Sequence, residues 1–297
     1  VHPLKSHGRY AYTAITRRRD YSWPRSRRLS VYVAFHLEQF DFGSGHGPSL
    51  ASKNAEPDVM NFAWRDYGTR VGVWRCLDLF DELSIRVGAL VNTACYDHCP
   101  ETVDAFVKRG DELIAHGHSS SLRQGELREE DEKWLLQYCR DRIRKESGVD
   151  PAGWLSPGIS ETPRTLDLLA EAGYRYTLDW SHDDQPVELK TRSGMLWSVP
   201  YPQELNDLSM ILERRMDATD FADMIVDNFD EMLAQSHGQP LVMGIALHPY
   251  LVGQPYRLRH LRRALEHIHR EKRVWWTTPG SICDWVQKSG TDPDFFS

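Results

Sequence analysis

Glu112-Leu113-Ile114-Ala115-His116-Gly117-His118-Ser119-Ser120 is an apolar run that stops abruptly in histidine, glycine and hydroxyl residues. A buried parallel strand reads as a continuous apolar segment, and where it leaves the core it delivers polar groups to a site. Two other stretches end in the same way. Ser30-Val31-Tyr32-Val33-Ala34-Phe35 runs into His36-Leu37-Glu38, and Leu241-Val242-Met243-Gly244-Ile245-Ala246-Leu247 runs into His248-Pro249-Tyr250. The fold and the site both turn on whether these three endings meet in space.

Working outward, apolar runs predict strands at residues 29–35, 85–91, 113–115, 153–155, 174–179, 195–199, 241–247 and 274–277. Helical spacing predicts helices near 67–80, 100–108, 129–145, 162–173, 219–235, 257–270 and 279–288, with Val73, Trp74, Leu77 and Phe80 on one inward stripe and Trp134, Leu135, Tyr138 and Ile143 on another. Strands alternating with helices imply parallel strands joined by crossover helices. No GxGxxG turn follows the first strand and no GxxxxGK[ST] occurs, so the phosphate device of a nucleotide-binding open sheet is missing and an α/β barrel is expected. Residues 1–28 read as an N-terminal arm, solvated or touching another subunit, and 29–297 as a single barrel domain. Residues 39–61 and 181–206 read as long loops that shape the pocket.

The 297 residues carry a net charge of −7, with 40% hydrophobic and 27% charged residues, a balance that fills a large core and argues against nucleic acid as a partner. No apolar run is long enough to span a membrane. Five cysteines, an odd number without a CxxC pair, suit a reducing, cytoplasmic setting. The Arg-rich arm and the Gly-rich segment at 42–48 point to a homo-oligomer.

In a parallel barrel the C-terminal strand ends share one face, and the site is built there. Those ends supply Glu38, His116, His118, Ser156-Pro157, Asp179-Trp180, Pro200-Tyr201 and His248. The set holds bases, acids and metal ligands with aromatic walls, but no nucleophile elbow.

Taken in order, the stretches Phe35-His36-Leu37-Glu38, His116-Gly117-His118-Ser119-Ser120, Trp154-Leu155-Ser156-Pro157, Asp179-Trp180 and Leu247-His248-Pro249 resemble the polysaccharide deacetylase family (carbohydrate esterase family four). That resemblance implies a distorted parallel (β/α) barrel. The departures matter: a lone Glu38 stands where that family has paired Asp, Ser120 stands where its second metal-binding His would fall, and Leu155 replaces an Arg. Tyr67-Gly68-Thr69-Arg70-Val71-Gly72-Val73-Trp74-Arg75 and His248–Arg257 are similar to a branch of metal-independent allantoinases and cyclic imide hydrolases.

The resemblance implies hydrolysis of a non-peptide carbon–nitrogen bond in a small cyclic amide, imide or ureide, without cofactor. Glu38 is expected to orient or deprotonate water, His248 to protonate the leaving nitrogen, and His116 to position water or stabilise the oxyanion. Arg70, His118, Trp154, Asp179, Trp180 and Tyr250 are expected to bind a small-molecule substrate. No metal is expected; if one binds, His116, His118 and Glu38 are the candidates. The alternatives are an amino-sugar or polysaccharide N-deacetylase that uses one divalent metal such as zinc, and a non-catalytic binding protein on the same fold.

Overall fold

A computed structural model describes residues 4–52 and 56–291. Nine strands form one curled sheet among these residues, in the order β6-β7-β5-β4-β3-β2-β1-β8, with β9 pairing β1. They are β1 (Leu29–Leu37), β2 (Gly88–Val91), β3 (Glu112–Ala115), β4 (Gly153–Trp154), β5 (Tyr176–Thr177), β6 (Val187–Thr191), β7 (Gly194–Ser198), β8 (Leu241–Leu247) and β9 (Val274–Trp276). All pairings are parallel except β6 with β7. Every residue of β1 and β8 is buried, as expected for strands covered on both faces. The sheet curls without closing, which is the distortion of the expected barrel.

The covering helices are α1 (Val59–Tyr67), α2 (Val73–Glu82), α3 (Cys95–His98), α4 (Pro100–Arg109), α5 (Glu129–Ser147), α6 (Thr165–Glu171), α7 (Ala218–Gln235), α8 (Pro249–Val252), α9 (Pro255–Arg270) and α10 (Pro279–Thr291). A π-helical segment, Gly68–Gly72, joins α1 to α2. Gly110 and Gly148 end α4 and α5 in the left-handed conformation that glycine adopts without penalty.

Strand register decides which side chains become neighbours. Phe35 lies opposite Leu247, so the residues that follow, His36 and His248, emerge level. Leu37 pairs with Val91 and Val91 with Ala115, which brings Glu38, Asn92 and His116 out together. The three endings therefore meet at one edge of the sheet.

Several local expectations need correction. Trp134 is 64% exposed and stacks on Tyr138, because the inward stripe of α5 is Glu132, Leu135, Leu136, Cys139 and Ile143. Trp74 is partly exposed, since the buried stripe of α2 runs through Val73, Cys76, Leu77 and Phe80. The segment 187–191, read as loop, is strand β6, an alternating edge strand paired in a hairpin with β7. The N-terminal arm is not simply solvated. Arg9 grips Asp167 at 2.7 and 2.9 Å, Arg18 pairs with Asp183, and the indole of buried Trp23 donates to the Leu241 carbonyl at 3.0 Å. No helix among the described residues is long and apolar enough to cross a membrane.

Candidate active site

Glu38 is the centre of the site. Its Oε1 accepts from the Ser120 hydroxyl at 2.8 Å and lies 3.4 Å from His116 Nε2. Its Oε2 accepts from the Tyr250 hydroxyl at 3.0 Å and lies 3.9 Å from His248 Nε2. His36 Nδ1 is 3.8 Å from Oε1. One carboxylate thus faces three imidazoles delivered by β1, β3 and β8. It opens onto a cavity of about 390 Å³ whose walls include Phe40, His46, Arg123 and Leu212.

Each imidazole is fixed through its other nitrogen. His116 Nδ1–H donates to the Leu155 carbonyl at 2.7 Å, and His248 Nδ1–H to Asp207 at 2.6 Å. His36 Nε2 meets the Tyr201 hydroxyl at 2.9 Å. This leaves His116 Nε2, His248 Nε2 and His36 Nδ1 aimed at Glu38. Outer partners that set tautomer and ring orientation in this way are the usual support of metal-ligating histidines. Asn92 ties the strand ends together: its side-chain oxygen accepts from Gln39 N at 2.9 Å and Ser120 Oγ at 3.1 Å, and its amide donates to the His116 carbonyl.

Charge follows from this packing. Burial opposes ionisation of Glu38, but the His116 hydrogen bond and the field of His248 outweigh it and hold the carboxyl well below the usual range. Burial and the neighbouring His248 push His36 far down, so its ring is neutral and keeps a lone pair. For His248 burial acts downward, yet Asp207 and Glu38 raise it overall.

His36, Glu38 and His248 offer ligand atoms that all lie within 4.8 Å of one another. His36 Nδ1 is buried without a hydrogen-bond partner. With Nε2 engaged by Tyr201, this unpartnered nitrogen faces an anionic carboxylate, and in the tautomer that carries its proton on Nε2 its lone pair is free for a cation. The donor set of two imidazoles and one carboxylate, with an open cavity beyond, suits a catalytic divalent metal. The residues fit the group. The expectation of a site without cofactor is therefore corrected, and so is the candidate ligand set: His36 and His248 join Glu38, and His118 does not.

The other expected binding residues scatter. His118 is exposed and turned to Thr93 and Tyr138, because Gly117, at φ +69°, turns the chain between it and His116. Trp154 is fully buried, packs on Tyr174 and donates to Ser156 Oγ at 3.0 Å, so it is core and not a wall. Asp179 is buried and accepts both the Ser156 N–H and its hydroxyl at 2.7 Å. Trp180 lies under Tyr10 with its indole donated to Glu161. Tyr250 alone among the six touches Glu38. Arg70 is exposed beside Asp66 and lines a separate cavity of about 620 Å³.

The segment around Arg70 acts through its glycines. A Cβ on Gly72 would lie 2.1 Å from the Pro249 carbonyl oxygen, and one on Gly68 would lie 2.9 Å from Tyr250 N. Arg75 and Tyr67 cap the same turn through the Gly253 carbonyl. Tyr67–Arg75 therefore seats the His248–Tyr250 turn. Asp207, which caps the π-helical segment Leu208–Glu213, and Asn92 were missed. Asn92 carried a signal, since it directly follows the apolar run Leu90-Val91.

Residues 57–177 match the model of the polysaccharide deacetylase family. The chain is 28% identical over 241 residues to a Schizosaccharomyces pombe protein named "Putative polysaccharide deacetylase", covering 75% of each chain. It is 22% identical to the peptidoglycan deacetylase of Helicobacter pylori over 287 residues, 86% of this chain and 95% of that protein. Among solved structures, a probable polysaccharide deacetylase from Pseudomonas aeruginosa superposes with a TM-score of 0.83 at 23% identity, covering 91% of this chain and 95% of that one. A PuuE allantoinase superposes with a TM-score of 0.84 at 24% identity and 99% coverage of both. Two activities on one fold at this identity establish the fold and leave the chemistry to the site.

The fold is an α/β open half-barrel of the polysaccharide deacetylase type. The matched family model and the two named relatives are of deacetylases, hydrolases of an amide-type carbon–nitrogen bond. The expected placement in a metal-independent allantoinase or cyclic-imidase branch, and the cyclic amide substrate that went with it, are overturned. The family match and both relatives point to deacetylases, and the buried His36–Glu38–His248 cluster has the make-up of a metal site.

Proposed function

We propose that the chain removes the N-acetyl group from amino sugars with the help of a divalent metal. The observation that carries this reading is the convergence of His36 Nδ1, Glu38 and His248 Nε2, each imidazole locked through its second nitrogen. A cation held by these three residues would polarise the amide carbonyl and acidify water. The remaining work falls to the chain. His116, anchored by Leu155, presents Nε2 beside Glu38; in its neutral form it takes the proton of the attacking water there and returns it to the leaving amine nitrogen. Tyr250 and Ser120 hold Glu38 in one rotamer. Phe40 and Leu212 in the cavity wall exclude bulk water from the reacting carbonyl.

A cavity of about 390 Å³ has room for one or two sugar units at the site. Five free thiols support a reducing, cytoplasmic setting. Exposed Leu4, Tyr12, Phe42, Leu50, Val59 and Met60 support a homo-oligomeric contact, which sedimentation velocity tests.

The test is acetate release from an N-acetylglucosamine dimer by metal-supplemented protein. The reading expects one acetate and one free amine per turnover, with H116A lowering kcat by on the order of 10²–10⁴. No acetate from any of a panel of N-acetylated sugars defeats it.

A further inference from the structure

Arg123 stands in the wall of the same cavity as Glu38, Ser120 and Tyr250. It is half-buried, and its guanidinium makes no hydrogen bond or ion pair among the described residues. That sets it apart. Other partly buried arginines hold a carboxylate, as Arg9, Arg18, Arg109 and Arg140 do, or a carbonyl or hydroxyl oxygen, as Arg65 and Arg75 do. Desolvating a guanidinium without a counter-charge is unfavourable, so an unpaired one inside a pocket calls for an anion supplied from outside.

The segment that carries this side chain is anchored on both sides of it. Ser121 accepts the His46 N–H at 3.1 Å through its carbonyl and donates its hydroxyl to the His46 carbonyl at 2.8 Å. Gln124, fully buried, donates to Glu132 at 2.7 Å. Beneath the guanidinium lies Gly158, at φ +63°, where a Cβ would come within 2.6 Å of Arg123 Nη1. The glycine opens the space in which the planar fork lies. The acidic groups nearby do not fill the role: Glu38 is taken by His116, Ser120 and Tyr250, and Glu213, on the same cavity wall, is exposed to solvent.

We propose that Arg123 is a specificity-determining residue that receives a carboxylate carried by the substrate, making the preferred substrate an acidic N-acetyl amino sugar; this rests on the deacetylase reading above. A bidentate guanidinium–carboxylate pair in a partly desolvated pocket discriminates a charged from a neutral ligand by roughly 10–100-fold.

The experiment compares N-acetylmuramic acid with N-acetylglucosamine, which differ by a carboxylate-bearing ether. Binding by calorimetry and kcat/KM for acetate release are measured on metal-supplemented wild type, R123Q and R123K. Wild type is expected to bind the acidic sugar at least tenfold more tightly. R123Q is expected to bring the ratio within about twofold and R123K to fall between, since lysine keeps the charge and loses the fork. Circular dichroism checks that R123Q is folded; if it is not, R123K and the wild-type ratio decide. A wild-type ratio near one, or a ratio that R123Q leaves intact, overturns the proposal. Selective binding without acetate release from either sugar keeps the carboxylate site and removes the deacetylase reading. Acetate release from both sugars with a ratio of one does the reverse.

Discussion

Replacing Asp207 by Asn changes one atom in a fully buried contact and should disable the site through a tautomer. Asp207 accepts two donors from the same residue: His248 Nδ1–H at 2.6 Å and His248 N–H at 2.8 Å. Both side chains are buried. Asparagine offers one acceptor oxygen, so its NH₂ must face the other donor. The structure can relieve that clash by moving the imidazole proton from Nδ1 to Nε2. Nε2 then carries a hydrogen toward Glu38 and has no lone pair for a cation. Loss of such an outer partner typically costs 10–100-fold in metal affinity, and kcat/KM should fall at least as much. Stability should fall by about 1.5–3 kcal/mol, the worth of one hydrogen bond to a charged group. Zinc titration by calorimetry, kcat/KM for acetate release and urea unfolding measure the three quantities. Nitrogen-15 shifts of His248 report the tautomer. A D207N protein that keeps kcat/KM and zinc affinity within threefold of wild type would refute the chain from Asp207 through His248 to the site.

Other outcomes follow from the same structure. Burial and the adjacent Asp179 push the Glu161 carboxyl up to about 9, from 4.5 in an unfolded chain. The folded state therefore binds more protons between these values, and stability falls as pH rises from about 4.5 to 9. E161Q should flatten that slope and exceed wild type in Tm at pH 9; an unchanged slope in urea unfolding between pH 5 and 9 contradicts the assignment. G72A places a methyl against the Pro249 backbone and should cost about 1–3 kcal/mol, with loss of activity as the His248 turn shifts; unfolding within 0.5 kcal/mol of wild type would show that the close approach is not needed. R70A should leave kcat/KM within about twofold, because Arg70 is exposed and faces a different cavity; a tenfold drop would return Arg70 to the site.

The sheet was legible because its longest strands are written as unbroken apolar runs. Residues 29–37 and 241–247 are buried on both faces, and the only polar positions in them are Ser30 and His36 near the ends of the first. Glu38, His116 and His248 were legible as polar groups at the ends of the apolar runs 29–35, 113–115 and 241–247. Where strands shrink to two residues, as in β4 and β5, flanking apolar residues belong to turns and the reading overran. Trp154 misled because a strand-end aromatic looks alike whether it turns to the site or to Tyr174 in the core. The Tyr67–Arg75 stretch was seen, but its visible feature, Arg70, is the part that faces water. Gly68 and Gly72 work by what they lack, which only the approach of Pro249 and Tyr250 reveals. Asp207 caps a short π-helical segment that carries no periodic signal in the sequence, and its partner is 41 residues away. The metal-free expectation failed because position 120 was weighed as the missing ligand. His36, one strand over and level with His248, offers a nitrogen that could serve instead.

The most direct test is metal stoichiometry read alongside activity on one preparation. Protein purified without a metal-affinity tag is stripped with chelator, titrated with zinc, and assayed for acetate release at each point, with H36A and E38A in parallel. The account predicts one zinc per chain, acetate release that rises in proportion to bound metal, and at least a tenfold loss of affinity in either variant. Full turnover by the stripped protein, or zinc binding that H36A and E38A leave untouched, would contradict it.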